Sequence, residues 1–277
     1  MGTYAVTGSA SGMGAAVVDR LVGDGHRVIG IDIQQADVTA DLSTPAGRRA
    51  AAAAVLEKAG GVLDGAVLAA GLGPAPGRDR ARLIAEVNVL GVTESLEAWR
   101  PALAAADRAK VVVFASNSTT TVPLVPGRVV RALAEGDVER AVRTLRLLGK
   151  AAPTFAYAAS KTALAHWVRR NAVTPAWAGA GIRLNALAPG AIMTPLLEQQ
   201  TRHARRGAPD QGLPGAHRRL RRCRPGSPRG WCSCSPTRPT SCAAAWSSST
   251  AARTPGSAQP TGRARCPPAG CAATSRG

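Results

Sequence analysis

Short apolar segments alternate with longer segments in which apolar residues recur at helical spacing over the first 201 residues. The apolar segments are rich in β-branched residues and have the length of buried strands. They are residues 3–7, 27–32, 65–69, 110–116 and 182–187, with a possible short strand within 36–39. This alternation predicts an α/β fold in which one doubly wound parallel sheet forms a single domain over residues 1–201.

The segment 154–174 is predicted to be a helix because alanines are frequent and neither Gly nor Pro interrupts it. Tyr157 and Lys161 are four residues apart within it, so their side chains share one helix face. A free tyrosine has a pKa of about 10, and a cation about 4–6 Å away favours the phenolate. Such a pair is suited to proton transfer, although the same spacing is also common on a solvated helix face.

The first predicted strand runs directly into a glycine-rich loop, and a helix follows. This order of strand, loop and helix is the context in which a dinucleotide fingerprint binds pyrophosphate. We expect Gly8 to permit the tight turn, Gly12 to let a pyrophosphate approach the backbone, and Gly14 to let helix and strand pack closely. The sequence therefore predicts a dinucleotide site after the first strand.

The second predicted strand ends in an acid, Asp32, which follows Gly14 by 18 residues. A carboxylate at this place can accept hydrogen bonds from an adenosine ribose. The alternative interpretation is an acid that caps a turn. Residues 8–14 and 32–37 contain no Arg or Lys to receive a 2′-phosphate, so the pattern favours NAD over NADP.

Together these motifs resemble those of the classical short-chain dehydrogenase/reductases, and the resemblance extends over residues 3–200. The glycine pattern of that family, Thr-Gly-x3-Gly-x-Gly, matches Thr7, Gly8, Gly12 and Gly14, and its Tyr-x3-Lys pattern matches Tyr157 and Lys161. The resemblance implies a Rossmann fold and an oxidoreductase with NAD as cofactor.

The resemblance also implies roles for further positions. They are Met13 in the glycine loop, Asp41 and Leu42 at the adenine, Ala70 and Gly71 after the fourth strand, Asn88 as the holder of a relay water, and Pro189, Gly190, Ile192 and Thr194 at the nicotinamide. The Asn that usually precedes Ala70 in the family is replaced by Ala69, so we expect one structural hydrogen bond to be missing.

The serine of the family is expected outside its usual place, because residues 140–150 contain no serine. A segment at 117–153 separates the strand 110–116 from Tyr157, and its centre, 128–148, is predicted to be one helix of mixed charge. A similar insertion occurs in the 3α-hydroxysteroid dehydrogenase/carbonyl reductase branch. Alignment with that branch implies that Ser116 is the catalytic serine, with Ser118 as the alternative.

The resemblance implies hydride transfer between NAD(H) and a secondary alcohol or carbonyl compound. A hydroxysteroid is the expected substrate, and an aryl alcohol of the coniferyl type is the alternative. Tyr157 would be the general acid or base, Ser116 would orient the reacting oxygen, and Lys161 would also bind the nicotinamide ribose. No metal is implied, since the four histidines show no ligand spacing. A nucleotide-binding remnant without turnover is the second class of function.

The composition changes abruptly after Thr201. Residues 202–277 contain 14 Arg, 10 Pro, all six Cys and a single acid, and they supply +13 of the formal charge of +18. We predict no specific nucleic-acid or membrane partner, because this tail has neither interleaved aromatic residues nor an amphipathic period. A zinc or disulfide module is disfavoured, because the spacing Cys232-x-Cys234 is too short for the usual ligand pair.

The tail has the composition of GC-rich codons translated out of frame. Plausible codons for residues 208–223, 230–238 and 244–256, read in one shifted register, give segments that resemble the C-terminal part of the family in the right order. We therefore predict a one-base frameshift near codons 201–207. The same hypothesis predicts that the last strand and helix of the family are lost and that residues 202–277 are disordered.

The remaining expectations concern location and assembly. No signal peptide precedes the first strand, and no run of about 20 apolar residues could span a bilayer. The absence of Cys from residues 1–201 fits a reducing compartment, so we predict a cytoplasmic protein whose partner is a small alcohol or ketone. The insertion at 117–153 makes a tetramer doubtful and leaves a homodimer as the expectation.

Overall fold

The computed structural model describes residues 1–190 and 192. The strands in this part are β1 (Thr3–Thr7), β2 (Arg27–Asp32), β3 (Val38–Thr39), β4 (Gly65–Leu68), β5 (Lys110–Phe114) and β6 (Arg183–Leu187). They form one parallel sheet in the order β3-β2-β1-β4-β5-β6. The predicted doubly wound sheet is confirmed. Thr194 and residues 202–277, with all six cysteines, lie outside the described residues.

Helices cover both faces of the sheet. They are α1 (Gly12–Gly23), α2 (Pro45–Ala59), α3 (Arg80–Ala85), α4 (Gly91–Ala104), α5 (Ser118–Thr121), α6 (Gly127–Ala134), α7 (Val138–Arg146) and α8 (Ala152–Asn171). A π-helical segment, Glu86–Leu90, joins α3 to α4. Short 3-10 turns occur at Gly149–Ala151 and Ala178–Ala180.

The topology reverses between β1 and β4, and this reversal determines where a ligand can bind. From β1 the chain proceeds outward to β2 and β3, and then crosses back to pair β4 with the other side of β1. Ligands of doubly wound sheets bind at such a reversal, outside the carboxyl ends of the strands. The strands on either side are buried apolar segments, as a parallel sheet covered on both faces requires.

The insertion packs on α8 through an apolar cluster that is separate from the main core. Small residues of α8, such as Ala156 and Ala159, let α3 and α6 approach closely. The single helix predicted for 128–148 is wrong, because α6 and α7 are separate. Gly136 adopts a left-handed conformation (φ +78°) between them, and the Asp137 side chain accepts a hydrogen bond from Arg140 N to start α7.

The last described strand, β6, is unlike the interior strands. Asn185, Ala186 and Leu187 are exposed, and within residues 1–190 the strand pairs with β5 alone. An interior strand of a parallel sheet is normally buried on both faces. The strand and helix that the frameshift hypothesis calls lost would follow β6, outside the described residues, so that hypothesis stays a prediction.

We expect restoration of the reading frame by one base to raise the melting temperature by about 5 °C or more, because exposed apolar surface at β6 would be covered. Calorimetry on the chain as written and on the restored chain measures the difference. A chain ending at residue 201 is the control and should melt with the chain as written. Equal melting temperatures for the written and restored chains would contradict the frameshift hypothesis.

Candidate active site

The predicted site residues that the structure describes gather at the carboxyl edge of the sheet. They follow or end β1 (Thr7, Gly8), β2 (Asp32), β4 (Ala70, Gly71), β5 (Ser116) and β6 (Pro189, Gly190). Because parallel strands all end at the same edge, residues far apart in sequence are brought to one crevice.

The glycine loop lies directly against the segment that leaves β4. Gly8 has φ +70°, and a Cβ added to it would lie 2.8 Å from Ala70 N. A Cβ on Gly14 would lie 2.0 Å from Gly8 O, so both positions exclude any larger residue. The first turn of α1 has no acidic residue, and Ser11 does not cap it with its side chain. Its N–H groups are therefore suited to bind a pyrophosphate.

Thr7 and Met13 anchor the two ends of this loop. Thr7 is buried, and its Oγ1 accepts a hydrogen bond from Ala70 N at 3.1 Å. Met13 packs against the apolar cluster that contains Val6. The segment after β4 was expected to lack a hydrogen bond because Ala69 replaces the usual Asn. The bond from Ala70 to Thr7 holds that segment to β1.

Asp32 contacts the glycine loop and also caps a turn. Its Oδ2 accepts from Ala10 N and its Oδ1 from Gln34 N, both at 3.0 Å. Each carboxylate oxygen can accept two hydrogen bonds, so the turn-capping contact leaves acceptor capacity for a ribose. The two interpretations of Asp32 are therefore compatible.

Asp41 and Leu42 lie in the turn that precedes α2. Asp41 Oδ1 accepts from Ser43 N at 2.9 Å. The buried Arg48 donates to Leu42 O at 3.2 Å, and it forms ion pairs with Glu86 and Glu94 at 2.8 and 2.7 Å. This buried cation ties the predicted adenine turn to the π-helical segment.

Asn88 is fully buried in that π-helical segment, a form of backbone that is frequent at functional sites. Its Oδ1 accepts from Leu72 N at 2.7 Å, and its Nδ2 donates to Leu72 O at 3.0 Å and to Ser160 Oγ at 3.2 Å. Ser160 Oγ in turn donates to Tyr157 O at 2.8 Å. Asn88 thus connects the segment after β4 with the helix that carries Tyr157.

Lys161 is buried where β5 ends. Its Nζ donates to Phe114 O at 2.6 Å, and burial lowers its pKa from 10.5 to about 8. A Cβ added to Gly71 would lie 3.6 Å from Lys161 Nζ and 3.4 Å from Asn88 Oδ1. The ammonium, the amide and Gly71 therefore meet at one place, and the absence of a side chain at Gly71 leaves them room.

Tyr157 lies one turn before Lys161 on the same face of α8 and is half-buried. Ser116 follows β5 by two residues, so the strand ends earlier than predicted. Its Oγ accepts a hydrogen bond from Ser118 N at 3.1 Å, which leaves its proton free to donate. The Ser118 hydroxyl is buried and has no partner among the described residues.

The segment after β6 is held beside the serine. Asn117 N donates to Pro189 O at 3.1 Å, which fixes Pro189 and Gly190 next to the exit of β5. Ile192 is partly exposed. The roles of Pro189, Gly190 and Ile192 at a nicotinamide stay predictions.

Sequence reasoning missed Ser160 and Arg48. Ser160 lies inside the Tyr-x3-Lys motif, so its place beside two predicted residues was a signal that could have found it. Arg48 had no such signal, because its partners Glu86 and Glu94 are 38 and 46 residues away. Within the described residues, no group of three or more His, Cys, Asp or Glu could hold a metal ion.

Comparison with known proteins identifies the family of the chain. The NAD dependent epimerase/dehydratase family matches residues 4–188. The 3-alpha-hydroxysteroid dehydrogenase/carbonyl reductase of Comamonas testosteroni is 39% identical over 210 residues, which is 75% of this chain and 79% of that protein.

Solved structures are similar in sequence and fold. The 3-alpha-hydroxysteroid dehydrogenase of Pseudomonas sp. B-0831, complexed with NADH, is 43% identical with a TM-score of 0.67 over 74% of this chain and 79% of its own. A short-chain dehydrogenase/reductase of Brucella ovis is 28% identical with a TM-score of 0.52 over 69% of this chain and 84% of its own.

The chain belongs to the short-chain dehydrogenase/reductase family, and it is an oxidoreductase. Within that family it is similar to the 3α-hydroxysteroid dehydrogenase/carbonyl reductase branch, as its insertion and motifs predicted. None of the helices in the described part of the chain has the length and apolar character needed to cross a membrane.

Proposed function

We propose that the chain oxidises a secondary alcohol, or reduces the corresponding carbonyl, with NAD(H), and that the substrate is a hydroxysteroid or a related carbonyl compound. One observation carries the proposal: Tyr157 and the buried Lys161 share one face of α8. Lys161 reaches the end of β5, which Ser116 follows by two residues. The similar proteins from Comamonas testosteroni and Pseudomonas support the substrate class.

The residues of the crevice fit a nicotinamide dinucleotide. The glycine loop and the start of α1 would hold the pyrophosphate, and Asp32 would accept from the adenosine ribose. Asp41 and Leu42 would border the adenine. Gly71 leaves space beside Lys161 for part of the cofactor, and a side chain at Gly71 would reduce that space. When bound, the cofactor would accept the hydride in the oxidation and donate it in the reduction.

The chain's own residues would move the proton. Tyr157 takes the hydroxyl proton of the alcohol as general base, or returns it to the carbonyl oxygen as general acid. The Ser116 hydroxyl donates a hydrogen bond to the same oxygen and orients it. The Lys161 ammonium stabilises the phenolate during the transfer. Asn88 and Ser160 position the helix and the segment after β4 around these groups.

NADH formation with a panel of alcohols tests the proposal. Turnover of 3-hydroxysteroids above that of benzylic alcohols is the expected result. The reverse order would favour an aryl-alcohol dehydrogenase. Binding of NADH without turnover of any alcohol would favour the nucleotide-binding remnant. Three further predictions are untested. They are the end of the dehydrogenase domain at residue 201, a homodimer, and a cytoplasmic location.

We expect the chain to bind NADH more tightly than NADPH, because Asp32 would repel a 2′-phosphate. Asp32→Asn should narrow that preference by about tenfold, since it removes the charge but keeps an acceptor for Ala10 N. Fluorescence titration with both cofactors measures the ratio. Tighter binding of NADPH than of NADH to the unaltered chain would overturn the assignment of NAD as the preferred cofactor.

We expect Ser116→Ala to lower kcat by about 10²-fold, because the hydrogen bond to the reacting oxygen is lost. Ser118→Ala is the matched control and should change kcat by less than about threefold, because its hydroxyl is enclosed. Steady-state kinetics on both variants shows whether Ser116 or Ser118 is the catalytic serine. A larger loss in Ser118→Ala would reassign the catalytic serine.

A further inference from the structure

Arg48 is a buried cation of α2 to which the proposed mechanism gives no part. Its side chain is 3% exposed, and the guanidinium has three oxygen acceptors. Nη1 donates to Leu42 O at 3.2 Å and to Glu86 at 2.8 Å, and Nε donates to Glu94 at 2.7 Å. A buried charge is unfavourable unless it is paired, so the place of Arg48 requires both carboxylates to stay where they are.

The two carboxylates reach one guanidinium because the π-helical segment lies between them. Glu86 begins this segment, and Glu94, eight residues later, lies in the first turn of α4. In a regular α-helix, residues eight apart lie about 80° from each other around the axis. A π-bulge adds one residue to a turn, so this pair has the effective spacing of i and i+7 and shares one face. An α-helical register would separate the two acids.

The same register sets the place of Asn88, two residues after Glu86. Asn88 is fully buried, and its amide forms two hydrogen bonds with Leu72, at 2.7 and 3.0 Å. Loss of the extra residue would rotate the chain before the bulge by about 100° relative to α4, which would take the amide away from Leu72. Gly71 is adjacent to both the Asn88 amide and the Lys161 ammonium. The register therefore decides whether the amide lies beside that ammonium.

Arg48 also holds the turn that is expected at the adenine. Its hydrogen bond to Leu42 O fixes the backbone of this turn. The Leu42 side chain lies against Gly91, where an added Cβ would be 3.4 Å from Leu42 Cβ. Gly91 N donates to Glu86 O, five residues earlier, which is the bond that defines a π-turn. The adenine turn and the π-helical segment are thus joined at Arg48 and again at Gly91.

We propose that Arg48 is a positioning residue of the reaction site. It holds the π-helical register that places Asn88 beside Lys161, and it fixes the turn at Leu42 for the adenine end of the cofactor. A guanidinium is required, because its planar fork binds two carboxylates and a carbonyl together, whereas an ammonium is a point charge. The inference rests on the proposed function for the part that Asn88 plays in turnover, and Arg48 acts on turnover through Asn88.

Hydrogen exchange at one backbone amide tests the positioning role without any substrate. Leu72 N donates to Asn88 Oδ1, so its exchange, followed by NMR on the full chain, reports whether the Asn88 amide is in place. Arg48→Lys is expected to speed exchange of the Leu72 amide about tenfold more than exchange of the amides of β4 and β5. A loss of global stability alone would speed all these amides by a common factor.

Arg49→Lys is the matched control for this exchange measurement. Arg49 is the next residue of α2, is exposed, and forms no ion pair among the described residues. The same substitution at Arg49 should therefore leave the exchange of the Leu72 amide unchanged. Equal effects of Arg48→Lys and Arg49→Lys would overturn the proposal.

Kinetics tests whether the effect of Arg48 passes through Asn88. Arg48→Lys is expected to lower kcat by about tenfold, because a small displacement of a site group lowers the rate strongly. It should raise the KM for NAD by about threefold through the turn at Leu42. In an Asn88→Ala background the same substitution should lower kcat by less than about twofold, since no amide is left to position. A merely structural role would give the same loss in both backgrounds.

Glu94→Gln provides a second variant in case Arg48→Lys does not fold. Glu94 is half-exposed, and its loss leaves Arg48 paired with Glu86, so this variant should fold and show the same pattern with changes of about threefold. Exchange at Leu72 that follows β4 and β5 in both variants, or a loss of kcat that does not depend on Asn88, would overturn the proposal. If the original chain turns over no alcohol, the proposed function fails, whereas exchange at Leu72 still decides whether Arg48 positions Asn88.

Discussion

Tyr157→Phe is expected to lower turnover by about 10³-fold, within the range that a positioned general acid or base contributes. The substitution removes only the hydroxyl, and the ring keeps its half-buried place against the apolar cluster of α6, α7 and α8. In the proposed mechanism the hydroxyl acts on the substrate oxygen and has no contact with the cofactor. Binding of NADH should therefore stay within about twofold of its original value.

The measurement combines initial rates of NADH formation with NADH fluorescence titration on the same preparation. Phe155→Tyr provides a control, because it adds a phenol on the same helix and leaves Tyr157 intact. Turnover retained in Tyr157→Phe would remove the centre of the proposed mechanism. Loss of NADH binding together with turnover would assign Tyr157 a role in the cofactor site instead.

Lys161→Met is expected to abolish measurable turnover and weaken NADH binding, yet to make the protein more stable at pH 7. The ammonium is fully buried and has Phe114 O as its partner. Burial of that charge lowers the pKa from 10.5 to about 8. The difference corresponds to about 3 kcal/mol of unfolding free energy that the charged lysine costs at neutral pH. Methionine has a similar length and carries no charge.

The sign of the pH dependence follows from the direction of that pKa. Between pH 8 and pH 10.5 the unfolded chain binds more protons at Lys161 than the folded chain does, so the unfolding free energy rises with pH. The cost is fully present below about pH 8 and disappears near pH 10.5. The stability advantage of Lys161→Met over the original chain should therefore shrink across this window.

Urea unfolding of both proteins at several pH values between 7 and 10.5 measures this advantage. The difference between the two proteins removes the contribution of other titrating groups. Lys161→Arg serves as a control because it keeps the positive charge. Its free energy of unfolding at pH 7 should not rise above that of the original chain. A Lys161→Met variant that is less stable than the original chain at pH 7, or a stability advantage that does not change with pH, would contradict the assignment of a buried ammonium that destabilises the fold.

The sequence was most informative where structure is local. The glycine loop from Gly8 to Gly14 and the pair Tyr157 and Lys161 depend on spacing within one turn or helix, so their geometry could be predicted directly. The strands were found because each is a short buried apolar segment. Their ends were less certain, and β5 stops at Phe114 because the chain turns away to place Ser116 at the crevice.

Long-range contacts could not be predicted from the sequence. Asn88 was found by resemblance, but its bonds to Leu72 and Ser160 depend on how α8 packs beside the π-helical segment. No local pattern marked Arg48, whose ion pairs with Glu86 and Glu94 join distant parts of the chain. The break between α6 and α7 at Gly136 was hidden by helix-favouring residues on both sides.

The proposed reaction transfers hydride from a secondary alcohol to NAD, with Tyr157 as the proton acceptor. A 3-hydroxysteroid that carries deuterium on the carbinol carbon tests it most directly, with mass spectrometry of the reduced cofactor as the readout. We predict that the reduced cofactor contains one deuterium with the original chain and that Tyr157→Phe forms this deuterated cofactor about 10³-fold more slowly. Reduced cofactor without deuterium, or equal rates of its formation by the two proteins, would contradict this mechanism.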